Sequence, residues 1–258
     1  MFFAAAAYTG WVAWDVHSSG QDGALAGAQT RSSTPSPSVE VAAPETVATP
    51  PSLGPFRKAA SVADTILVIG DSTGAGSGAW VDLVARDLGD QHHVTLHAWQ
   101  ETPGQFEVPT TYGGPGGQVD VWNLSYPGIE ADYADHLGDV PQPDVVLLDI
   151  GHDRSRRAAA RAALTTLEAV GERWGDVPTA VVLQNPSAAD EELQQRQAVR
   201  RLTRFAAEYG DPVIDVYSAF QQAEPGRTLV DGGSRPTQAG QRLWADVVDD
   251  ALGVTGSE

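Results

Sequence analysis

The stretch Thr65-Ile-Leu-Val-Ile-Gly-Asp-Ser72-Thr-Gly-Ala-Gly-Ser-Gly78 decides how this chain reads. Its opening run is apolar and β-branched without alternation, the pattern of a short strand buried on both faces of a parallel sheet. A glycine-rich turn follows. Then Trp80-Val-Asp-Leu-Val-Ala-Arg-Asp-Leu88 sets Trp80, Val81, Val84 and Leu88 on one helical stripe. The segment reads as strand, tight turn and helix, with Ser72 at the carboxyl end of the strand beside a helix N-terminus. Open α/β sheets place ligands at that position, and the N–H groups of such a turn can stabilise negative charge.

Three roles fit this turn. Its glycines can simply relieve backbone strain. Alternatively, Gly70-x-x-x-Gly74-x-Gly76 resembles a nicotinamide fingerprint. In that role Asp71 faces the pyrophosphate with an unfavourable charge, and Glu101, the acidic candidate for a ribose contact, falls in a loop. The third role is a nucleophilic Ser72, which needs partners elsewhere in the chain.

Outward from this stretch, strands and helices alternate. His93–Ala98 reads as a second strand, Val119–Leu124 as a third, Asp144–Ile150 as a fourth, Thr179–Gln184 as a fifth and Pro212–Val216 as a short last strand. Arg156–Trp174, Ala188–Tyr209 and Thr237–Leu252 read as helices. Between the second and third strands, Gln100–Gln118 reads as a long Gly/Pro-rich loop, of a length that in compact domains is often functional. The alternation predicts an α/β domain from about residue 63 onward, a parallel sheet covered on both faces.

The N-terminal part has a different character. Residues 1–16 (MFFAAAAYTGWVAWDV) are apolar with no basic residue ahead of them, too short for a span of ~20 residues and without the positive start of a signal peptide. We read them as the latter part of a signal anchor, the alternative being an amphipathic or unstructured segment. Residues 17–62 are rich in Ser, Thr, Pro and Ala and read as a disordered linker. Together they predict a domain held on the outer side of a membrane, or secreted.

Composition narrows the function classes. The net charge of -18 argues against a nucleic-acid binder, which normally shows a basic face. The absence of Cys excludes thiolate catalysis and Cys-ligated zinc. The dense basic run Arg154-Ser-Arg-Arg157 with Arg161 reads as a solvated helix face. His92, His93, His97 and His136 have no metal-ligand partner at helical spacing and read as structural. Trp99, Tyr112, Trp122 and Tyr126 lie beside the long loop, as core or rim aromatics or as a platform for a sugar face.

An acyl-transfer site needs a nucleophile, a base, an orienter for the base and an oxyanion hole. Four turns supply candidates: Gly70-Asp71-Ser72, Asn123-Leu-Ser-Tyr-Pro-Gly128, Gly151-His152-Asp153, and Asp231-Gly-Gly-Ser-Arg-Pro-Thr-Gln-Ala-Gly240. Ser72 is the nucleophile, and the backbone N–H groups of Ser72 and Gly128 are candidates for the hole.

These four blocks resemble, in order, those of the SGNH (GDSL-type) hydrolase superfamily. Gly70-Asp71-Ser72 matches its Ser block and Asn123-x-Ser-x-Pro-Gly128 its Gly block. Gly151-His152-Asp153 falls where the family has Gly-x-Asn-Asp, and Asp231…Pro236-Thr-x-Ala-Gly240 where it has Asp-x-x-His-Pro-Thr-x-x-Gly. The resemblance covers about Thr65 to the C-terminus. It implies a three-layer α/β/α, flavodoxin-like fold and serine ester hydrolase activity on small-molecule, glycan or lipid esters, without a metal or organic cofactor.

The departures fall on the family's base. With Pro236 aligned, Arg235 stands at the His position and Gly232 at the Asp position, leaving Asp231 displaced by one; no His follows His152. A guanidinium stays protonated and cannot serve as base. Arg235 reads as a partner for an anionic group or in an ion pair with Asp231 or Asp71. His152 is the best counterpart of the family's Asn, either as an oxyanion donor or as a relocated base oriented by Asp153 or Asp149. Two functions follow: an acyl esterase acting on acylated cell-envelope glycans or lipids with a relocated or degenerate base, or a catalytically inactive module binding a glycan or protein at the cell surface.

Overall fold

A computed structural model describes residues 49–102, 104–127, 133–152, 156–187, 192–223 and 228–254, all within one folded unit, 46–258. The segments read as anchor and as most of the linker, 1–48, lie outside the described residues, as do Gly128 and Asp153.

β1 (Thr65–Gly70) is the centre of the sheet. It pairs in parallel on one side with β5 (Gln118–Ser125) and on the other with β6 (Val145–Asp149). Beyond β6 lie β7 (Thr179–Leu183) and β8 (Val213–Asp215), also parallel. The order β5-β1-β6-β7-β8 is the flavodoxin-like arrangement, with the chain reversing its direction of growth at β1. Beyond β5 the sheet gains three further strands. β2 (His93–Gln100) pairs with β5 in parallel, and its outer edge is shared by β3 (Gln105–Phe106) and β4 (Thr110–Gly113), both antiparallel.

Two of these strands correct the reading of Gln100–Gln118 as a loop. Each is short and flanked by Gly or Pro, so neither shows a periodic signal. Pairing with β2 is what makes them strands, and it covers an edge that would otherwise expose unpaired N–H and C=O groups.

The helices form two outer layers. On one face are α1 (Gly54–Ala60), α2 (Trp80–Leu88), α6 (Val216–Gln222) and α7 (Gln238–Leu252). They bury Ile66 and Val68 of β1 among Phe56, Val84, Phe220, Trp244 and Val248. On the other are α3 (Tyr133–His136), α4 (Arg156–Trp174) and α5 (Glu192–Tyr209), which cover Leu67, Ile69, Leu148 and Leu183 with Tyr133, Leu167, Val170 and Leu202. β1, β6 and β7 are therefore buried on both faces, the reason their sequences run apolar without alternation.

Helix α1 lies within the stretch read as linker. Pro55 fits its first turn, and Phe56 and Ala60, four residues apart, are its buried anchors. Two anchors in a Pro- and Ser-rich context are too few to be seen as a periodicity. Among the described residues no helix is long and apolar enough to cross a membrane.

Candidate active site

The carboxyl edge of the sheet is organised by Asp71. Its Oδ1 accepts from Thr73 N at 3.1 Å and from Thr73 Oγ1 at 2.7 Å, which closes the 3₁₀ turn Ser72–Gly74. Its Oδ2 accepts from the backbone N–H groups of Gly151 at 3.0 Å and His152 at 2.8 Å, and from Gln184 Nε2 at 2.8 Å. One buried carboxylate thus joins the turns after β1, β6 and β7. Half-buried Ser72 and His152 flank it, each directly beside a residue or N–H that it holds.

Other elements fix the same turn. Asn123 of β5 donates to Gly74 O at 2.9 Å. Gln241 of α7 accepts from Trp80 N at 2.7 Å and donates to Thr73 O at 3.3 Å, tying the Ser72 turn to the start of α2. Gly70 and Gly74 allow the close approach of β5. A Cβ at Gly70 would meet Ser125 Oγ at 2.7 Å and Asp149 O at 3.2 Å, and one at Gly74 would meet Ser125 Oγ at 2.8 Å. The glycine-rich turn leads into α2 at Trp80, where the sequence places the start of the helix. Gly76 and Gly78 take positive φ, 89° and 76°, and the loop 75–79 delays the helix until Trp80.

His152 is oriented by Asn185, not by Asp149. Asn185 Nδ2 donates to Pro186 O at 2.8 Å and Ser234 O at 3.1 Å, which assigns the amide. Its Oδ1 then faces His152 Nε2 at 3.2 Å. In the neutral imidazole Nε2 carries the hydrogen, and the basic lone pair is on Nδ1. Asp149 is out of reach of this role because its side chain lies inside the protein, at 0% exposure, against Thr73 Oγ1 at 3.2 Å and Trp80 Nε1 at 3.3 Å. Burial first, and then the nearby charge of Asp71, push its carboxyl well above the usual carboxylate range; bonds from Gln184, Thr73 and Trp80 offset this only in part.

The block expected to carry the family's base sits beside this pair. Ser234 O accepts from Asn185, the Asp231 N–H donates to Arg235 O at 3.0 Å, and Val230 bridges Pro236. Arg235 is exposed and forms no ion pair with Asp231 or Asp71. Asp231 Oδ1 accepts from Gly233 N at 3.3 Å, and Asp71 is saturated by other donors. Thr237 caps α7 through Gly240 N at 3.2 Å.

The flanking aromatics are mostly turned inward. Trp99 and Tyr126 are buried, and Trp99 meets Phe106 edge-on at 5.1 Å and His136 at 4.4 Å. Trp122 stacks on His97 at 4.0 Å, and the Tyr112 hydroxyl donates to Asp82 on α2. Trp99 and Tyr126 are core aromatics, while Tyr112 and Trp122 remain half-buried. Among the described residues no group of His, Asp or Glu is placed to hold a metal ion.

Three site residues escaped the sequence reading. In the sequence, Gln184-Asn-Pro186 after the fifth strand resembles the corresponding stretch of SGNH hydrolases without a role for either side chain, and Thr73 is only a neighbour of Ser72. Their roles depend on contacts between separate turns, which no local spacing announces.

The chain is similar in fold to several solved structures whose names are those of lipolytic or esterase proteins. The chain aligns with a lipolytic protein of the G-D-S-L family from Veillonella parvula (TM-score 0.53, 18% identity, covering 73% of this chain and 98% of that one). It aligns equally with a lipase/acylhydrolase from Enterococcus faecalis (TM-score 0.54, 18% identity, 75% and 98% covered). An acetylxylan esterase from Geobacillus stearothermophilus gives a TM-score of 0.51 at 18% identity, with 76% and 97% covered. No protein-family model matches the sequence, and no curated protein does. At these identities the likeness establishes the fold: the chain has the three-layer α/β/α fold of SGNH/GDSL hydrolases.

Proposed function

We propose that this chain is a serine ester hydrolase in which Ser72 attacks the acyl carbonyl and His152, held by Asn185, is the base. The observation that carries this reading is the hydrogen bond between Asn185 Oδ1 and His152 Nε2. It favours the role of base over that of oxyanion donor for His152. A ring whose Nε2–H is given to Asn185 offers Nδ1 as an acceptor, so it can take a proton from a hydroxyl but cannot donate to an oxyanion. The oxyanion falls instead to backbone N–H groups, those of Ser72 and, by the family resemblance, Gly128. In the steps that follow, the Ser72 hydroxyl proton passes to Nδ1, the acyl group is transferred to Ser72 Oγ, the alcohol leaves with the proton, and water then releases the acid by the reverse proton path. Acyl or acetyl esters of envelope glycans or lipids are the proposed substrates. The names of the relatives, a lipase/acylhydrolase and an acetylxylan esterase, support that class.

A second reading keeps the fold as a binding module. Arg235, a permanent cation exposed at the position of the family's His, favours it. Hydrolysis of a short chromogenic acyl ester by wild type, Ser72→Ala, His152→Ala and Asn185→Ala separates the two. Loss in the first two variants with a partial loss in the third is expected. Equal turnover by wild type and Ser72→Ala would remove the enzyme reading for that ester class and leave the module.

A further inference from the structure

Beneath the Ser72 turn lies a chain of three polar side chains that the reaction above does not use: Asp149, Thr73 and Asp71. Thr73 has one hydroxyl proton and two carboxyl neighbours, Asp71 Oδ1 at 2.7 Å and Asp149 Oδ2 at 3.2 Å. It can donate to only one. Asp71 is the closer acceptor, and its two oxygens also accept from Thr73 N, Gly151 N, His152 N and Gln184 Nε2. That set requires an acceptor-only, ionised carboxylate at Asp71. The short contact between Thr73 Oγ1 and Asp149 Oδ2 is then a hydrogen bond only if Asp149 supplies the proton. The surroundings of Asp149 agree. It is fully buried, its Oδ1 has no hydrogen-bond partner, and among the described residues no cation contacts it; Trp80 Nε1 donates to it at 3.3 Å. An ionised carboxylate in that setting would leave a charged oxygen unsolvated, whereas a neutral acid leaves only a carbonyl.

We propose that Asp149 works as a neutral carboxylic acid, donating to Thr73, which donates to Asp71. The three side chains then hold a single negative charge directly under the nucleophile turn. Asp149 is on this view a positioning residue. It fixes Thr73, and through Asp71 it fixes the spacing of the Ser72 turn and the His152 N–H. Asp71 is the titratable group that faces it from the β1 turn, and His152 joins through the N–H on Asp71. α2 contributes Trp80, and β7 contributes Gln184, both uncharged. The effect on catalysis rests on the esterase reading; the protonation state does not.

The test has two arms. In the full chain labelled with ¹³C-carboxyl aspartate, the carboxyl spectrum is followed against pH for wild type, Asp149→Asn and Asp249→Asn. A carboxyl resonance in the protonated range at pH 7 that disappears only in Asp149→Asn is expected. Its absence in folded wild type would overturn the proposal whether or not any ester is cleaved. In the second arm, kcat/KM for a chromogenic ester is measured against pH. Asn at 149 keeps the donation to Thr73, giving up the longer Trp80 contact. Asp149→Asn should therefore keep activity within about tenfold at pH 7, and wild type should lose activity at alkaline pH, as Asp149 gives up its proton, where the variant does not. Asp71→Asn, which points an amide at several donors, should lose on the order of 10²-fold, the scale of a misplaced catalytic group. The inverse pattern, with Asp71→Asn tolerated and Asp149→Asn not, would place the proton on Asp71 and overturn the proposal. If wild type cleaves no ester but the labelled resonance is present, the esterase reading fails and the neutral Asp149 stands.

Discussion

At the scale of single residues, the site is set by side chains whose work is to hold other groups rather than to react. Asn185 is the sharpest case. Its amide is anchored on two backbone carbonyls and gives its oxygen to His152. Asn185→Leu removes the partner of Nε2–H and frees the ring to adopt the other tautomer. The expected result is a fall in kcat of ~10²-fold with KM little changed, since an orienter acts on the transition state more than on binding; steady-state kinetics on one ester would show it. Gly70 makes a different demand. It sits between Ser125 and Asp149 in register, and a methyl group there would press on Ser125 Oγ at 2.7 Å and Asp149 O at 3.2 Å. Gly70→Ala should cost about 1–3 kcal/mol of stability, the usual scale of overpacking. It should also displace the Ser72 turn. A chemical melt paired with an activity assay measures both. Ser72 and its flanking Gly and Asp stood out in the sequence because they are neighbours in the chain. The contacts of Asn185, Asp149 and Gln184 did not, because their partners lie 33, 76 and 113 positions away.

At the scale of elements, the docking of α2 against α7 carries much of one layer. Trp80 and Trp244 are both fully buried, with parallel rings 5.8 Å apart. Trp244→Ala should destabilise the fold by about 3–5 kcal/mol, as large-to-small changes at buried aromatics do, measurable as a shift in the urea midpoint. The same helix pair carries a pH-dependent element. Arg242 is set among Asp87, Asp246 at 2.7 Å and Asp249 at 3.1 Å. Burial, and then the neighbouring Asp87, raise Asp249 to about 8, only partly offset by Arg242. The folded chain thus keeps a proton that the unfolded chain releases near pH ~4. Its contribution to stability is complete below that value and is lost as pH rises toward about 8. Asp249→Asn should remove this slope, matching wild type near pH 4 and exceeding it in stability at pH 9; thermal melts across that range provide the check. The elements themselves were unevenly legible. β1, β6 and β7 announce themselves because burial on both faces leaves uninterrupted apolar runs. β3 and β4 are defined by their pairing with β2 and have no pattern of their own. The polar cluster on α7 looks like an ordinary solvated face until α2 is laid against it.

At the scale of the whole molecule, the question is where the folded unit begins. The sequence places the boundary near residue 63, where Pro, Ser and Ala give way to an apolar strand. The structure adds α1, which closes the layer formed with α7. Phe56 is 3% exposed and Ala60 is buried beside it. Arg57 reaches Asp250 at 2.7 Å, an exposed pair that adds little by itself. Burying Phe56 is worth about 1.5–3 kcal/mol. A chain starting at residue 63 should therefore be less stable than one starting at residue 49 by about that amount, read as a shift in the urea midpoint. The loss exposes apolar surface of α7 and the amino-terminal end of the sheet. The Ser72 turn and the His152–Asn185 pair stand at the opposite, carboxyl end, so the shorter chain should keep its site geometry at temperatures where it remains folded. A chain starting at 63 that matched the chain starting at 49 in its denaturation midpoint would mean that α1 adds nothing to the fold, and the boundary read from composition would then be the physical one.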